Sequence, residues 1–190
     1  MPSHFYAMMS RMKNIQRWGL MRNTRYENLS EHTLEVAFIA HALAIIKNRR
    51  FGGSVDANAV AVSAMFHDTS EIITGDMPTP IKYYNTSIKN VYKEIEAVAE
   101  ERLISLLPQD LRDDFNPIYN PNDETAVLVK AADKISALIK CIEERNSGNQ
   151  EFRSAEAATL KSIKQMNLPE ANVFLEEFLE SYSLTLDELK

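Results

Sequence analysis

The chain has 190 residues, of which 45% are hydrophobic, and this is enough for one sizeable core and a single domain over residues 1–190. The net charge of −6 disfavours binding to nucleic-acid polymers or to anionic membranes. Cys141 is the only cysteine, which excludes a disulfide framework and a cysteine-based zinc site.

The N-terminal sequence lacks the basic and then apolar order of a signal peptide. No apolar run approaches the roughly 20 residues that a membrane span needs, so a cytoplasmic location is expected. After Pro2, a first helical stripe contains Phe5, Met8, Met9 and Met12.

Helical periodicity recurs along the chain, and strand signals are absent. The second predicted helix runs to about Asn48, and either the stretch from Asn28 to Glu31 or Ser30 itself can cap its start. Its apolar stripe contains Val36, Ile39, Ala40 and Leu43.

The segment "FGGSVD" predicts a turn, after which Asp56 can cap a helix that continues to about Ile73. The next segment, "TGDMPTP", is expected to be irregular, because Pro78 and Pro80 both exclude a regular helix interior. A longer helix follows and ends before Pro108. Its apolar residues are Ile88, Val91, Ile95, Val98, Leu103 and Ile104.

Another helix begins near Asn122–Asp123 and runs to about Glu144, before a turn at "RNSGNQ". Its apolar residues are Val127, Val129, Ala132 and Leu138. Two more helices follow, the last with Pro169 at its first position. The apolar residues of this last helix are Val173, Leu175 and Phe178. These patterns predict an all-α fold, a compact multi-helix bundle.

Ionisable side chains interrupt the apolar pattern in "FHDTSEI", residues 66–72. His67, Asp68 and Glu71 fall on one side of the predicted helix, His32 lies on the inward stripe of the helix before it, and Asp133 lies in "LVKAADKISALI". Buried carboxylates are costly unless they are paired or bind a metal. A single divalent ion would satisfy His32, His67, Asp68 and Asp133 together.

Imidazole and carboxylate ligands suit Mn²⁺, Fe²⁺, Co²⁺, Ni²⁺ or Zn²⁺, and four protein ligands in an octahedral field leave two positions for water or substrate, an arrangement for hydrolysis. The alternative is a hydrogen-bonded or exposed His–Asp pair, since that dipeptide is common. For Asp133 the alternative is an ordinary surface ion pair with Lys130 or Lys134. His4 and His41 are interpreted as structural.

A basic segment of this acidic chain surrounds Trp18, the only tryptophan, and contains Arg11, Lys13, Arg17, Arg22 and Arg25. One interpretation is a solvated face. The other is an anion pocket, in which Arg17 binds a phosphate in a bidentate manner and Trp18 supplies a flat wall for a sugar or base. The segment "GDMPTP" would hold Asp76 and Thr79 in a defined loop, although it also reads as a simple helix stop.

Three segments, "SEHTLEVA", "MFHDTSEIITGDMPTPIK" and "KAADKISALIKC", together resemble the HD-domain superfamily of metal-dependent phosphohydrolases. More narrowly, the sequence is similar to the bacterial 5'-deoxynucleotidases within it, from about "SRMKNIQRWGLMRN" through the Asp133 helix. This resemblance implies an HD-type all-α bundle, a homodimer, and removal of phosphate from deoxyribonucleoside 5'-monophosphates with a divalent ion, most often cobalt or manganese.

The resemblance also implies roles for individual residues. The implied metal ligands are His32, His67, Asp68 and Asp133. Arg17 would orient the phosphate, and Trp18 would lie against the deoxyribose where a 2'-hydroxyl would need room. The implied nucleotide contacts are Asp76, Met77, Pro78 and Thr79, with Asp76 at the 3'-hydroxyl. Glu71 would be the acid–base residue, so the catalytic set is Glu71, Arg17 and Asp68.

Other functions stay open at this point. One is hydrolysis of a triphosphate, a cyclic dinucleotide or an alarmone, although four histidines are too few for the two-metal phosphodiesterases. Another is a helical regulator that binds a nucleotide at a vestigial metal site without cleaving it. A purely structural adaptor gives His32, His67 and Asp68 no reason to face inward. No residue stands out as a base reader, and the segment from Gln150 to Lys190 has no predicted chemistry.

Overall fold

The computed structural model describes residues 2–82 and 84–190, and this part of the chain is all-α, as predicted, without a strand. Its α-helices are α1 Phe5–Met9, α2 Leu29–Phe51, α3 Ala57–Phe66, α4 Glu71–Thr74, α5 Thr79–Lys82, α6 Thr86–Ser105, α7 Arg112–Tyr119, α8 Asp123–Asn146, α9 Arg153–Gln165 and α10 Pro169–Glu177. Short 3-10 helices cover Ser10–Asn14, Gln109–Leu111, Gln150–Phe152 and Leu179–Ser183.

The start of α2 confirms the predicted cap. The Asn28 side chain accepts hydrogen bonds from the backbone N–H groups of Ser30 and Glu31, and the Glu31 side chain accepts one from the Asn28 backbone. This reciprocal capping box satisfies amides that the first helical turn leaves without partners. The helix continues slightly beyond the predicted Asn48 and ends at Gly52, whose φ of 69° glycine adopts without strain.

Helix α2 is the centre of the main hydrophobic core. Its predicted stripe is buried and packs with apolar residues of α3, α8 and α10. By length and composition alone α2 could also cross a membrane, so the expectation that no apolar run approaches this length is wrong. The buried core helix of a soluble protein passes the same test. Of its apolar window, 56% is buried inside the protein, so its length and hydropathy are explained by the core.

Helix α3 confirms the predicted cap at Asp56, whose side chain accepts from Asn58 and Ala59, but the prediction of one helix to about Ile73 is wrong. The helix ends at Phe66, and residues 67–70 form turns before the short α4. The His67 ring bonds the carbonyl of Ala64 and the Thr69 hydroxyl bonds that of Phe66, so both side chains compete for helical acceptors.

The predicted irregular segment "TGDMPTP" is irregular at residues 75–78, but the prediction is wrong at both ends. Thr74 is the last residue of α4. The other exceptions are Thr79 and Pro80. These residues open the short helix α5, where Pro80 is tolerated because the first helical turn leaves amides unbonded. Helix α7 was not predicted, since "RDDFNPIY" carries Pro117 within it.

Helix α6 turns a different face inward than its aliphatic residues suggest. Tyr92, Ala99 and Leu103 are buried, and Leu103 packs with Phe5 of α1 in a second core cluster. By contrast, three of the predicted apolar residues are 47–65% exposed, namely Val91, Ile95 and Val98. These three, spaced at four and three residues along one helical face, form an exposed α6 stripe.

Helix α8 runs the length of the core against α2 and α9, and its start at the Asn122 cap was predicted. The "RNSGNQ" turn and the start of α10 at Pro169 are also confirmed. The Glu170 side chain is buried beneath Lys47 of α2, with Nζ and Oε1 3.5 Å apart. The centre of the molecule is the place where α2, α8 and the turn after α3 meet. Polar side chains of these three elements face one another there.

Candidate active site

Four predicted ligands converge at this meeting point. His32 comes from α2, His67 and Asp68 from the turn after α3, and Asp133 from α8; each offers one ligand atom, and these atoms all lie within 4.8 Å of one another. Asp68 Oδ2 lies 3.1 Å from His67 Nε2 and 3.5 Å from His32 Nε2, and Asp133 Oδ1 lies 3.2 Å from His32 Nε2. The structure therefore brings together the residues in the predicted set.

Both imidazoles point Nε2 at the carboxylates because Nδ1 is engaged elsewhere. His67 Nδ1 lies 2.7 Å from the carbonyl oxygen of Ala64, which can only accept a hydrogen bond. His32 Nδ1 lies 3.1 Å from the hydroxyl oxygen of Ser136, which donates in turn to Glu35 Oε2 at 2.5 Å. Since the single hydroxyl proton goes to Glu35, Ser136 accepts from His32.

This arrangement fits a divalent cation. Neither Nε2 atom makes a hydrogen bond of acceptable geometry, although both are buried and carboxylate oxygens lie nearby. Buried polar atoms are normally satisfied, so two such nitrogens facing two carboxylates require an explanation. A cation with nitrogen and oxygen ligands at this point would satisfy all four side chains.

The imidazoles and carboxylates of the cluster shift one another's pKa values. Burial alone would raise the pKa of Asp68, but His67 and His32 outweigh it and lower that pKa well below its usual range. Burial alone would lower the pKa of His67, but Asp68 and Asp133 raise it to about 9. Without a cation, His67 therefore keeps a proton near neutral pH, and a metal ion would replace that proton.

The ordinary alternative for Asp133 does not describe the structure. Among the ion pairs of residues 2–82 and 84–190, Asp133 pairs with His32 and with neither Lys130 nor Lys134. His4 and His41 lie outside the cluster, as the structural interpretation requires.

Arg17 enters the site from the segment before α2. Its Nη1 lies 3.4 Å from Asp68 Oδ2, and its Nε lies 3.3 Å from Glu27 Oε2. The Arg17 side chain is only 12% exposed, so the interpretation of the basic segment as a solvated face is wrong for this residue. Arg22 differs, because its side chain is 90% exposed and pairs with Glu151.

Trp18 lies beside Arg17 and shares a partner with it. The indole Nε1 donates to Glu27 Oε2 at 2.9 Å, and the Trp18 backbone N–H donates to Asp76 Oδ2 at 3.3 Å. Asp76 follows Gly75, which takes a φ of 75° that suits glycine. The basic segment and the "GDMPTP" loop therefore meet next to the ligand cluster.

The remaining residues of that loop are less tightly connected. Met77 and Pro78 are half-buried and Thr79 is exposed. In the part of the chain that the structure describes, no side-chain hydrogen bond connects these three to the ligand cluster. Of the predicted nucleotide contacts in this loop, only Asp76 is seen bonded to another site residue.

Glu71 is buried next to the cluster, and its Oε2 has no hydrogen-bond partner among the described residues. Burial, followed by the charges of Asp68 and Asp76, raises the pKa of Glu71 to about 9, and Arg17 opposes that rise. A carboxyl group with a free buried oxygen and a strongly raised pKa is a candidate for proton transfer.

A cavity of about 330 Å³ adjoins the cluster on the side of His67 and Asp133. Its other lining residues are mainly apolar and include Phe66, Ile118, Tyr119, Pro121, Ala126 and Val129. Tyr119 ends α7, which was not predicted from the sequence. A flat apolar ligand group of modest size would fit a cavity of this composition.

Sequence reasoning missed the residues that support the site. Ser136 lies one helical turn after Asp133, and spacing places it on the Asp133 side of α8, but its contact with His32 was not predicted. Glu27 is the one acidic residue between Arg17 and Asn28, which is a usable signal. Phe152, which packs against Trp18, gave no signal because the two residues are distant in sequence.

Comparison with known proteins agrees with these observations. The family model described as "5'-deoxynucleotidase YfbR-like" matches residues 4–182. A curated 5'-deoxynucleotidase of Vibrio cholerae serotype O1 is 51% identical over 191 residues, covering 98% of each chain. A curated 5'-deoxynucleotidase of Photobacterium profundum is 50% identical over 190 residues, again covering 98% of each chain.

Solved structures support the fold. An HD-domain phosphohydrolase from Listeria innocua superposes with a TM-score of 0.81 at 22% identity, covering 94% of this chain and 88% of that one. The HD phosphohydrolase DatZ of cyanophage S-2L, solved with dA and one catalytic Zn²⁺ ion, gives a TM-score of 0.65 at 19% identity, covering 92% and 96%. The fold is the predicted HD-domain type, and the chain belongs to the YfbR-like 5'-deoxynucleotidase family.

Proposed function

We infer that this protein is a metal-dependent 5'-nucleotidase that hydrolyses deoxyribonucleoside 5'-monophosphates to a deoxynucleoside and phosphate. The observation that carries this inference is the cluster of four ligand side chains, with both Nε2 atoms unbonded, next to a buried arginine. The sequence identity of 50–51% to curated 5'-deoxynucleotidases, over 98% of the chain, supports the same reaction and substrate class.

His32, His67, Asp68 and Asp133 are the residues that would hold the cation. A divalent ion bound there would supply Lewis-acid polarisation of a phosphate oxygen and activation of water. The two imidazole nitrogens and two carboxylates suit Co²⁺ or Mn²⁺, the ions that we propose first, while Ni²⁺, Fe²⁺ and Zn²⁺ accept the same ligand types.

Arg17 would bind the phosphate and neutralise charge on its oxygens. Glu27 and Asp68 hold the guanidinium through Nε and Nη1, so the orientation of its plane is set before a substrate binds. A preorganised donor stabilises developing charge without reorganisation at the moment of reaction. Asp68 has two roles here, because it both orients Arg17 and belongs to the ligand set.

Glu71 would act as the acid–base residue. Its unpartnered Oε2 can take the proton of the attacking water once the carboxyl group is ionised. Without a cation, the raised pKa of about 9 keeps this carboxyl group protonated near neutral pH, and the positive charge of a bound divalent ion would favour its ionised form. Because proton transfer requires hydrogen-bonding distance to the water, we expect the substrate complex to bring Glu71 and the phosphate together.

The sugar would lie between Trp18 and Asp76. One Asp76 oxygen accepts from the Trp18 amide, which leaves the other for the 3'-hydroxyl. The indole ring would fill the space of a 2'-hydroxyl and so exclude ribonucleotides. Met77, Pro78 and Thr79 would contact the nucleotide from the same loop, and the apolar cavity beside His67 would receive the base.

The remaining features of the proposal concern the whole protein. We propose one domain over residues 1–190, because the main core joins helices from both halves of the chain. We also propose a cytoplasmic homodimer, with neither nucleic-acid polymers nor membranes as partners. The exposed α6 stripe supports association, and the net charge of −6 disfavours anionic polymers and membranes.

A phosphate-release assay tests the function directly. The metal-stripped protein is supplied with Co²⁺, Mn²⁺, Ni²⁺ or Zn²⁺ and offered deoxynucleoside and ribonucleoside mono- and triphosphates. We expect metal-dependent release from deoxynucleoside 5'-monophosphates above all others. Preferred cleavage of triphosphates would favour the other nucleotide hydrolases, and nucleotide binding without release under any metal would favour a regulator.

A further inference from the structure

Trp18 has a backbone conformation that bulky residues rarely adopt. Its φ is 59°, in the left-handed region, within the irregular segment between the 3-10 helix Ser10–Asn14 and α2. A conformation of this kind persists only where the surroundings over-determine it, and such residues cluster at functional sites. The contacts of Trp18 therefore indicate what fixes the position of its ring.

Hydrogen bonds fix the Trp18 backbone and one edge of the indole. Besides the bonds to Asp76 and Glu27, the Trp18 carbonyl oxygen accepts from Asn23 Nδ2 at 3.3 Å and from the Met21 backbone N–H at 2.9 Å. A single hydrogen bond at Nε1 restrains the indole at one point, so the tilt of the ring depends on packing.

Phe152 provides that packing. Its ring centroid lies 5.3 Å from that of Trp18, and the two planes meet at 58°. Phe152 is completely buried, and Lys140 Nζ lies 5.7 Å from its ring centroid. A buried ring of this kind presents a fixed surface against which the indole can lie.

The chain just after Trp18 is held by the same region. The Glu144 carboxylate, 1% exposed, accepts from the backbone N–H of Thr24 at 2.8 Å and of Arg25 at 3.2 Å. Lys140 and Asn149 also donate to Glu144, and Asn149 Nδ2 donates to the Arg22 carbonyl oxygen at 2.7 Å. The end of α8 thus fixes the backbone of residues 22–25.

We propose that Phe152 and Glu144 are positioning residues for sugar specificity: they hold Trp18 rigidly enough to exclude a 2'-hydroxyl. This rests on the proposed function, in which Trp18 is the wall beside the deoxyribose. Exclusion by a wall needs rigidity, since a displacement of about 1 Å admits an additional oxygen atom. The proposal gives a role to the region around Gln150, to which the sequence assigned no chemistry.

Phe152→Leu tests the ring contact, and Glu144→Gln tests the anchor of residues 22–25. For each variant, kcat/KM is measured with one deoxynucleoside 5'-monophosphate and the matching ribonucleotide. We expect the deoxy-to-ribo ratio to fall about threefold to tenfold in Phe152→Leu, the range that an aromatic pair contributes. Glu144→Gln should lower the ratio in the same direction. Metal content should stay at the wild-type level.

A second measurement does not depend on activity. Trp18 is the only tryptophan, so time-resolved fluorescence anisotropy of the full-length protein reports the motion of this ring alone. We expect Phe152→Leu to increase the amplitude of the fast decay. Phe174→Leu is the matched control, because it removes a ring that is 5% exposed and packs against Phe178 instead.

The outcomes separate the proposal from the function on which it depends. Wild-type ratio and anisotropy in Phe152→Leu would overturn the positioning role, as would equal changes in Phe174→Leu. Trp18→Ala serves as the reference. If this variant remains active and keeps the preference for deoxynucleotides, the assignment of Trp18 as the wall beside the deoxyribose is wrong. If the wild-type protein releases no phosphate, the proposed function fails. Even then, a larger fast anisotropy decay of Trp18 in Phe152→Leu than in the wild-type protein would support the contact between the two rings.

Discussion

Single residues determine how the candidate ligands are presented. His67 is oriented by a backbone carbonyl, which mutation cannot remove, whereas His32 depends on the hydroxyl of Ser136. Ser136 in turn donates its hydroxyl proton to the half-buried Glu35, so a chain of two hydrogen bonds leads from His32 through Ser136 to Glu35. Partners of this kind fix the ring orientation and the tautomer of a metal-binding histidine.

Ser136→Ala should weaken metal binding, because His32 loses the acceptor that holds Nδ1–H. We expect the dissociation constant for Co²⁺ to rise about tenfold or more, measured by competition with a chelating dye. Ser63→Ala is the control, as it removes a buried hydroxyl of α3. Equal affinity of Ser136→Ala and the wild-type protein would contradict the orienting role.

Glu71→Ala should abolish turnover while metal content and nucleotide binding stay largely intact, since in the proposed mechanism Glu71 transfers a proton and is not a metal ligand. The loss should reach at least about 10²-fold in kcat, with metal measured by elemental analysis. Glu101→Ala, which removes an exposed glutamate of α6, should behave as wild type. Surviving turnover with lost nucleotide binding would reverse the assignment.

At the scale of elements, local signals predicted where helices begin better than where they end. The caps at Asn28, Asp56 and Asn122 and the start at Pro169 follow from side-chain chemistry within a few residues. The interruption at residues 67–70 depends on which acceptor the His67 ring finds in three dimensions. Sequence periodicity contains no information about that choice.

The exposed face of α6 shows the same limit. Both sides of this helix carry apolar residues, so spacing alone does not indicate which side meets the core. For the candidate site, the proposed ligands were predictable because their spacing placed them on the inward sides of predicted helices, although His67 and Asp68 lie in the turn after α3. The left-handed Trp18 and its contact with Phe152 were not, because they depend on packing between distant segments.

The attachment of α8 to residues 24–25 should depend on pH through Glu144. Burial alone would raise its pKa, but Lys140 and the amide of Thr24 lower it to about 2 from an ordinary 4.5. The stabilisation, at most about 3 kcal/mol, is therefore complete above pH 4.5 and is lost as the pH falls toward 2.

Urea unfolding of the wild-type protein and Glu144→Gln between pH 7 and pH 2.5 measures this effect. The difference in the free energy of unfolding should be largest at pH 7 and should shrink below pH 4.5. Glu180→Gln controls for the loss of one exposed carboxylate. A difference that stays constant over this pH range would contradict the assignment to Glu144.

At the scale of the whole molecule, the exposed α6 stripe is the surface that we propose for the dimer interface. Val98→Lys places a charge at its most exposed residue, 65% exposed in this structure. We expect the dimer dissociation constant to rise about tenfold or more, measured by sedimentation velocity. Leu186→Lys, at an 86% exposed position near the C-terminus, is the control. An unchanged dimer in Val98→Lys would exclude α6 from the interface.

The order of the helices along the chain has a consequence for biosynthesis. Helix α2 is apolar enough to pass for a membrane span, yet α8, which covers it, is synthesised some distance later. At ordinary translation rates the interval is on the order of ten seconds. Helix α3, which also packs against α2, follows it directly in the chain. The apolar face that α8 buries, however, stays exposed to chaperones and to the membrane-insertion machinery until the ribosome has released the second half of the core.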